Sequence, residues 1–220
     1  MATNDYHFIT TWRVPGTARE VSEVLADAAD LPRWWPAVYL DVKVLEPGDE
    51  NGIGKVMDLY TKGWLPYTLR WKFRVTESNP PRGFALVADG DFVGRGIWTL
   101  TQDGDMLNVV YDWKIRADKP LLRYFSFVMK PIFAANHRWA MARGEESLRL
   151  ELARRHAATA AERARVPAPP RPTSASPFAL LAGIGALALA AGTLLARRRR
   201  GERLAAPIVA AEPVAGRSER

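Results

Sequence analysis

His7, His137 and His156 are the three imidazoles of a 220-residue chain that contains no cysteine. They lie far apart and form no His-Glu-x-x-His pair, so no metal site is expected. The absence of thiols excludes disulfides, thiolate metal sites and cysteine nucleophiles. There is no Gly-x-Ser-x-Gly elbow and no Walker loop, and no cofactor is expected. The glycine-rich run from Gly90 to Gly96 lacks the third glycine of a dinucleotide loop and reads as a bend between strands. Glu145-Glu146 reads as a solvated helix edge. The polar candidates that remain are Asp58, Arg95 and Asn136-His137. Asp58 falls between Val56 and Tyr60 on one strand face, where a carboxyl pKa would rise. An imidazole at His137 tuned near neutrality would suit proton transfer. Asp58 and His137 are therefore the catalytic candidates, with a rim ion pair and a satisfied backbone carbonyl as the alternatives.

The aromatic content is the stronger signal: eight Trp, six Tyr and eight Phe. Tyr and Trp carry an apolar body with one hydrogen-bonding tip, suited to an apolar ligand that bears a few oxygens. The candidate binding residues are Trp34, Trp35, Tyr60, Tyr67, Trp71, Arg95, Trp98, Tyr111, Trp113, His137 and Met141. The alternative for each ring is ordinary core.

The elements that position these residues follow from periodicity. Phe8, Thr10, Trp12 and Val14 alternate with polar neighbours in a first strand that Pro15-Gly16 ends. Thr17 and Glu20 form a capping box for a helix over 18–29, and a short turn follows at Leu31–Trp35. Strands then alternate with tight turns for about 80 residues. In the clearest, Tyr67, Leu69, Trp71, Phe73 and Val75 share one face; later Leu107, Val109, Tyr111, Trp113 and Ile115 do the same. One-sided strands of this kind build an antiparallel sheet. Helical spacing of His137, Met141, Gly144, Leu148 and Leu152 marks a long last helix, expected to start near Ile132 because Pro131 interrupts the pattern.

Trp12-Arg13-Val14-Pro15 before a capped helix, Leu31-Pro32-Arg33-Trp34-Trp35-Pro36, Val44-Leu45-Glu46-Pro47-Gly48 with Gly52-Ile53-Gly54, and Asn136-His137 on the last helix resemble the helix-grip superfamily, SRPBCC or START-like. The similarity is to its polyketide cyclase/dehydrase-like branch and covers about residues 5–155. It implies an α+β helix-grip fold: a curved antiparallel sheet of about seven strands wrapped on a long C-terminal helix, with two short helices after strand 1. It also implies a cavity between sheet and helix, in which similar proteins bind lipids, sterols, polyketides or hormones and some cyclise or dehydrate them.

Beyond this domain, 1–165, the composition changes. Residues 166–177 hold five prolines and read as an extended spacer. Residues 178–196 carry no charge and no proline; as a helix they would span about 28 Å, enough to cross a bilayer. Arg197–Arg200 follow, opening a basic tail over 197–220. The expected partners are a hydrophobic small molecule or lipid, and a membrane contacted through 178–200. Ala182, Ala186 and Ala190 allow a weak dimer through the span. Residues 166–220 carry eight Arg against three Glu, whereas 1–165 carry 23 Lys+Arg against 21 Asp+Glu. The basicity thus sits in the tail, and no nucleic-acid partner is expected. Five arginines after the span favour an external domain, yet no signal peptide precedes it; the reading adopted is a single-pass protein with a cytoplasmic domain.

Three functions remain open at this point. The domain is a membrane-tethered binder of a hydrophobic ligand, a cyclase or dehydratase using the same cavity, or an interaction module whose cavity its own side chains fill.

Overall fold

Strand β1 (Asp5–Pro15) opens the domain, and helix α1 (Ala18–Ala26) follows. The capping box forms as expected: Glu20 N donates to Thr17 Oγ1 at 3.2 Å, and Thr17 N donates to Glu20 Oε2 at 2.8 Å. The helix stops three residues earlier than its apolar stripe suggests, because Asp27 leaves helical geometry and Ala28–Asp30 tighten into a 3-10 turn. Helix α2 (Leu31–Trp34) continues from that turn. Strands β2 (Tyr39–Glu46), β3 (Val56–Lys62), β4 (Thr68–Asn79), β5 (Gly83–Gly90), β6 (Phe92–Asp103) and β7 (Met106–Ala117) come next. Helices α3 (Ser126–His156) and α4 (Ala160–Arg165) close the order. This computed structural model describes residues 5–117 and 126–173.

All pairings are antiparallel, in the spatial order β1-β7-β6-β5-β4-β3-β2. The inner face of the sheet and α3 enclose the core, with Trp12, Val14, Leu59, Phe73, Leu107 and Val109 buried against Leu148 and Leu152. The α+β helix-grip architecture expected from the sequence is present, as are the inward faces of β4 and β7. Strand β3 differs. Its inward residues are Met57, Leu59 and Thr61, paired with Phe73, Trp71 and Leu69 of β4. Asp58 therefore faces outward.

Pro131 does not delay α3, which runs continuously through it. A proline inside a helix deletes one backbone hydrogen bond and costs about 3 kcal/mol, a loss that the packing of the turns that follow offsets.

After α4, residues 166–173 stay against the domain. Arg154 donates to the Pro167 carbonyl, Lys62 Nζ donates to the Thr173 carbonyl at 2.6 Å, and Thr173 Oγ1 donates to the Gly63 carbonyl at 3.2 Å. Residues 166–173 form a strap returning to the end of β3. The boundary of the compact unit accordingly falls after Ala175. The apolar run 178–196, the alanine row within it and the basic tail lie outside the described residues. Among the described residues no helix is long and apolar enough to cross a membrane.

Candidate functional site

Close approach of α3 to the sheet is set by small residues at two points. A Cβ on Gly144 would lie 2.3 Å from Cζ2 of Trp35, and one on Gly63 would lie 2.1 Å from Oδ1 of Asn136. Trp35 thus packs directly on the helix backbone. Asn136 reaches the β3–β4 loop, where its Oδ1 accepts from Trp64 N at 2.9 Å and Leu65 N at 3.3 Å. These contacts frame a cavity of about 130 Å³ between the sheet and the first half of α3.

Seven of the eleven candidate binding residues line it: Trp35, Tyr67, Trp71, Tyr111, Trp113, His137 and Met141. The other four sit elsewhere. Trp34 is fully buried in the core beside Trp35. Trp98 stands behind the wall, stacked on Tyr111 at 4.1 Å and packed against Trp12. Tyr60 points outward from β3 under the Arg70 guanidinium, 4.7 Å from its ring centroid. Arg95 is an outer-face residue of β6, paired with Glu77 at 2.6 Å.

Asp58 also lies outside the cavity, on the outer face of β3. The strand register aligns Lys43, Asp58, Lys72 and Asp89 in one row across β2, β3, β4 and β5. Alternating charges on the solvated face explain the carboxylate without any catalytic role. Among the described residues, no carboxylate lines the cavity.

His137 does line the cavity, with its ring stacked on Phe8 at 4.1 Å and its Nε2 3.4 Å from Thr10 Oγ1. Its pKa is not near neutrality. Burial, helped by the neighbouring Arg138 charge, pushes it down to about 4. At neutral pH it is an uncharged imidazole, able to accept a proton or a hydrogen bond but not to act as an imidazolium acid.

The remaining polar tips are phenols. Burial raises the pKa of Tyr6, Tyr39, Tyr67 and Tyr111; Tyr6 beside Tyr67 and Tyr39 beside Tyr111 add to it. All four stay neutral hydroxyls. The Tyr6 hydroxyl and the Trp35 indole N–H are buried without a partner among the described residues. Trp71 Nε1 is committed to Thr61 Oγ1 at 3.1 Å, which itself donates to the Leu69 carbonyl at 3.4 Å. Among the described lining residues Lys62, whose ammonium is held by the strap, is the charged one. Such a wall can orient an uncharged ligand and hydrogen-bond its oxygens. Among the described residues it offers no paired acid and base, and no His/Cys/Asp/Glu group suited to a metal occurs.

Sequence reasoning missed Tyr6, Phe8, Tyr39 and Phe133 in this lining. The alternation of β1 already placed Phe8 with Trp12. Tyr39 starts a strand directly after a loop, where no periodicity exists to orient it.

No protein-family model and no curated protein sequence matches the chain. Solved structures do share its architecture. The Zhui aromatase/cyclase from Streptomyces sp. R1128 superposes with a TM-score of 0.56 at 21% identity, over 70% of this chain and 97% of that one. TTHA0849 from Thermus thermophilus gives 0.53 at 14% identity, over 65% and 97%. The di-domain ARO/CYC StfQ of the steffimycin biosynthetic pathway gives 0.52 at 14% identity, over 68% of this chain and 52% of that one. At these identities the likeness establishes the helix-grip fold.

Proposed function

We propose that the domain binds an uncharged, ring-bearing hydrophobic small molecule in the cavity under α3, and that residues 178–196 tether the chain to a membrane. The observation that carries the binding reading is the wall itself, with stacked aromatic rings, four neutral phenols and a neutral imidazole around open space. A cavity of about 130 Å³ is comparable to one of ~150 Å³ that takes up benzene. It seats one ring, and the rest of a larger ligand would extend through the mouth.

Cyclisation or dehydration in the same cavity is the second reading. It is favoured by the aromatase/cyclase neighbours and by a neutral His137 able to accept a proton from a bound carbonyl compound. His137→Gln separates the two, since a binder retains its function and a catalyst loses turnover while still binding.

The primary test fills the cavity. The chain cut after Ala175 is titrated with N-phenyl-1-naphthylamine while Trp emission is followed; affinity in about the micromolar range is expected. Ala140 lines the cavity, and Ala140→Leu should abolish the response while leaving the unfolding midpoint near wild type. Equal binding by both proteins would place the probe elsewhere and sink the proposal. No response from either would leave the interaction-module reading.

A further inference from the structure

Six of the eight tryptophans are buried: Trp12, Trp34, Trp35, Trp71, Trp98 and Trp113. The other two, Trp64 and Trp139, are half-buried, and each is the chain neighbour of a cavity-lining residue, Gly63 and Ala140. Trp64 sits in the β3–β4 loop, held through its backbone by Asn136. Trp139 stands three residues after Asn136 on α3, with the Arg143 guanidinium 6.0 Å from its ring centroid.

Charge is polarised along the same axis. The mouth segments 62–67, 130–144 and 166–173 carry Lys62, Lys130, Arg138, Arg143 and Arg171, and no carboxylate. Arg143 pairs with Glu146 just beyond; the other four are in no ion pair among the described residues. The opposite end of β3 has the reverse character. There Glu20, Glu23, Asp27 and Asp30 of residues 18–30, with Asp49 and Glu50 of the β2–β3 loop, outnumber Arg19 and Lys55. Lys55 Nζ donates to the Ala26 carbonyl, placing that loop beside α1.

The strap also reaches this mouth. Thr173 is hydrogen-bonded to Lys62 and Gly63, and in sequence the uncharged run begins at Phe178, followed by four arginines.

We propose that this flank of the mouth, with Trp64, Trp139, Lys130, Arg138 and Arg171, is a docking surface for an anionic bilayer. Half-buried tryptophans with an edge open to solvent suit the headgroup layer, and cations are drawn to acidic lipid. The acidic far end is repelled by the same surface, so the charge distribution orients the domain as well as attracting it. An apolar ligand then passes between lipid and cavity without crossing water. The inference rests on the ligand-binding, tethered reading of the previous subsection and specifies the membrane chemistry it needs.

The test uses the full chain reconstituted in vesicles containing brominated phosphatidylcholine, with or without phosphatidylglycerol. Every tryptophan precedes residue 140, so quenching by the brominated lipid reports the domain and not the tether. Quenching is expected in the phosphatidylglycerol vesicles. It should disappear in Trp64→Phe/Trp139→Phe, and fall to the phosphatidylcholine level in Arg138→Glu/Arg171→Glu or at high salt. Near-ultraviolet circular dichroism verifies that both variants remain folded. Equal quenching in the two lipids would overturn the electrostatic proposal. Absent quenching, with the chain still resisting alkaline extraction, would overturn the docking surface and leave the tether standing. A chain that neither resists extraction nor is quenched would overturn both. Quenching with phosphatidylglycerol by an extractable chain would support the surface and remove the tether.

Discussion

The indole of Trp35 lies flat against the backbone of α3 at Gly144, close enough that a Cβ there would sit 2.3 Å from Cζ2 and 2.6 Å from Cε2 of the ring. Trp35 is 2% exposed and is further fixed by Trp12, Trp34 and Tyr39, whose ring centroids lie within 5.6 Å. These rings leave it room to retreat only toward the cavity it lines. This contact sets the spacing between helix and sheet, and with it the height of the cavity that Trp35 lines.

Gly144→Ala should therefore destabilise the fold although alanine is the better helix former. The propensity gain is about 1 kcal/mol, while overpacking against a fixed ring costs about 1–3 kcal/mol and disturbs the cavity wall. Urea unfolding of Gly144→Ala measures the net loss. Trp35→Leu in the same chain should recover part of it, because the smaller side chain vacates the contested space. A Gly144→Ala protein as stable as wild type would show that α3 can lift from the sheet at no cost.

His137 predicts an acid-sensitive stability. Its pKa is about 4 in the folded protein against 6.5 for an ordinary imidazole, so the unfolded chain binds the proton more tightly. Stability is complete above about pH 6.5 and declines as pH falls toward 4, by up to about 3 kcal/mol. His137→Gln should flatten that part of the profile. The ring resonances of His137 should also titrate near pH 4 by NMR; titration near 6.5 would mean that the imidazole is open to water and the wall looser than described.

Glu151, 3% exposed, joins α3 to α2 through both nitrogens of the Arg33 fork, at 2.7 and 2.9 Å, and accepts from Arg155 Nε at 3.1 Å. Burial pushes its pKa up, but the bonds from Arg33 and Arg155 outweigh that and hold the carboxyl below its usual range. Removing the cation should then cost more than neutralising the acid. Arg33→Ala, which leaves the buried carboxylate with Arg155 alone, is expected to cost about 2–4 kcal/mol. Glu151→Gln, which keeps a hydrogen-bonding amide in place, should cost about 1–2 kcal/mol. Chemical unfolding of the two variants gives the order, and the reverse order would mean that the pair is solvated.

Local signals in the sequence were legible wherever chemistry and geometry coincide within a few residues. Thr17 and Glu20 announce the cap of α1 because the capping box is closed within one turn. The inward faces of β4 and β7 were readable because five alternating apolar residues leave a single consistent phase. The stripe from His137 to Leu152 defined α3 for the same reason. Pro131 misled because a proline interrupts hydrogen bonding without forbidding a helix whose following turns are packed on the sheet.

The α+β order of strands and helices and the aromatic richness were thus determined by the sequence, since periodicity and composition are local properties of the chain; the helix grip itself was implied by the resemblance of its motifs. Tertiary structure alone decided which rings meet the cavity. Trp34 and Trp35 are neighbours of one type, and only the approach of Gly144 selects the second. Asp58 and Tyr60 share a phase with Val56 that reads as buried until the β3–β4 register turns Met57, Leu59 and Thr61 inward. Arg95 is claimed by Glu77 from another strand, and Thr173 returns to Lys62 from more than a hundred residues away. Each of these depends on a partner distant in the chain, and alternation along one strand carries no information about what lies across from it.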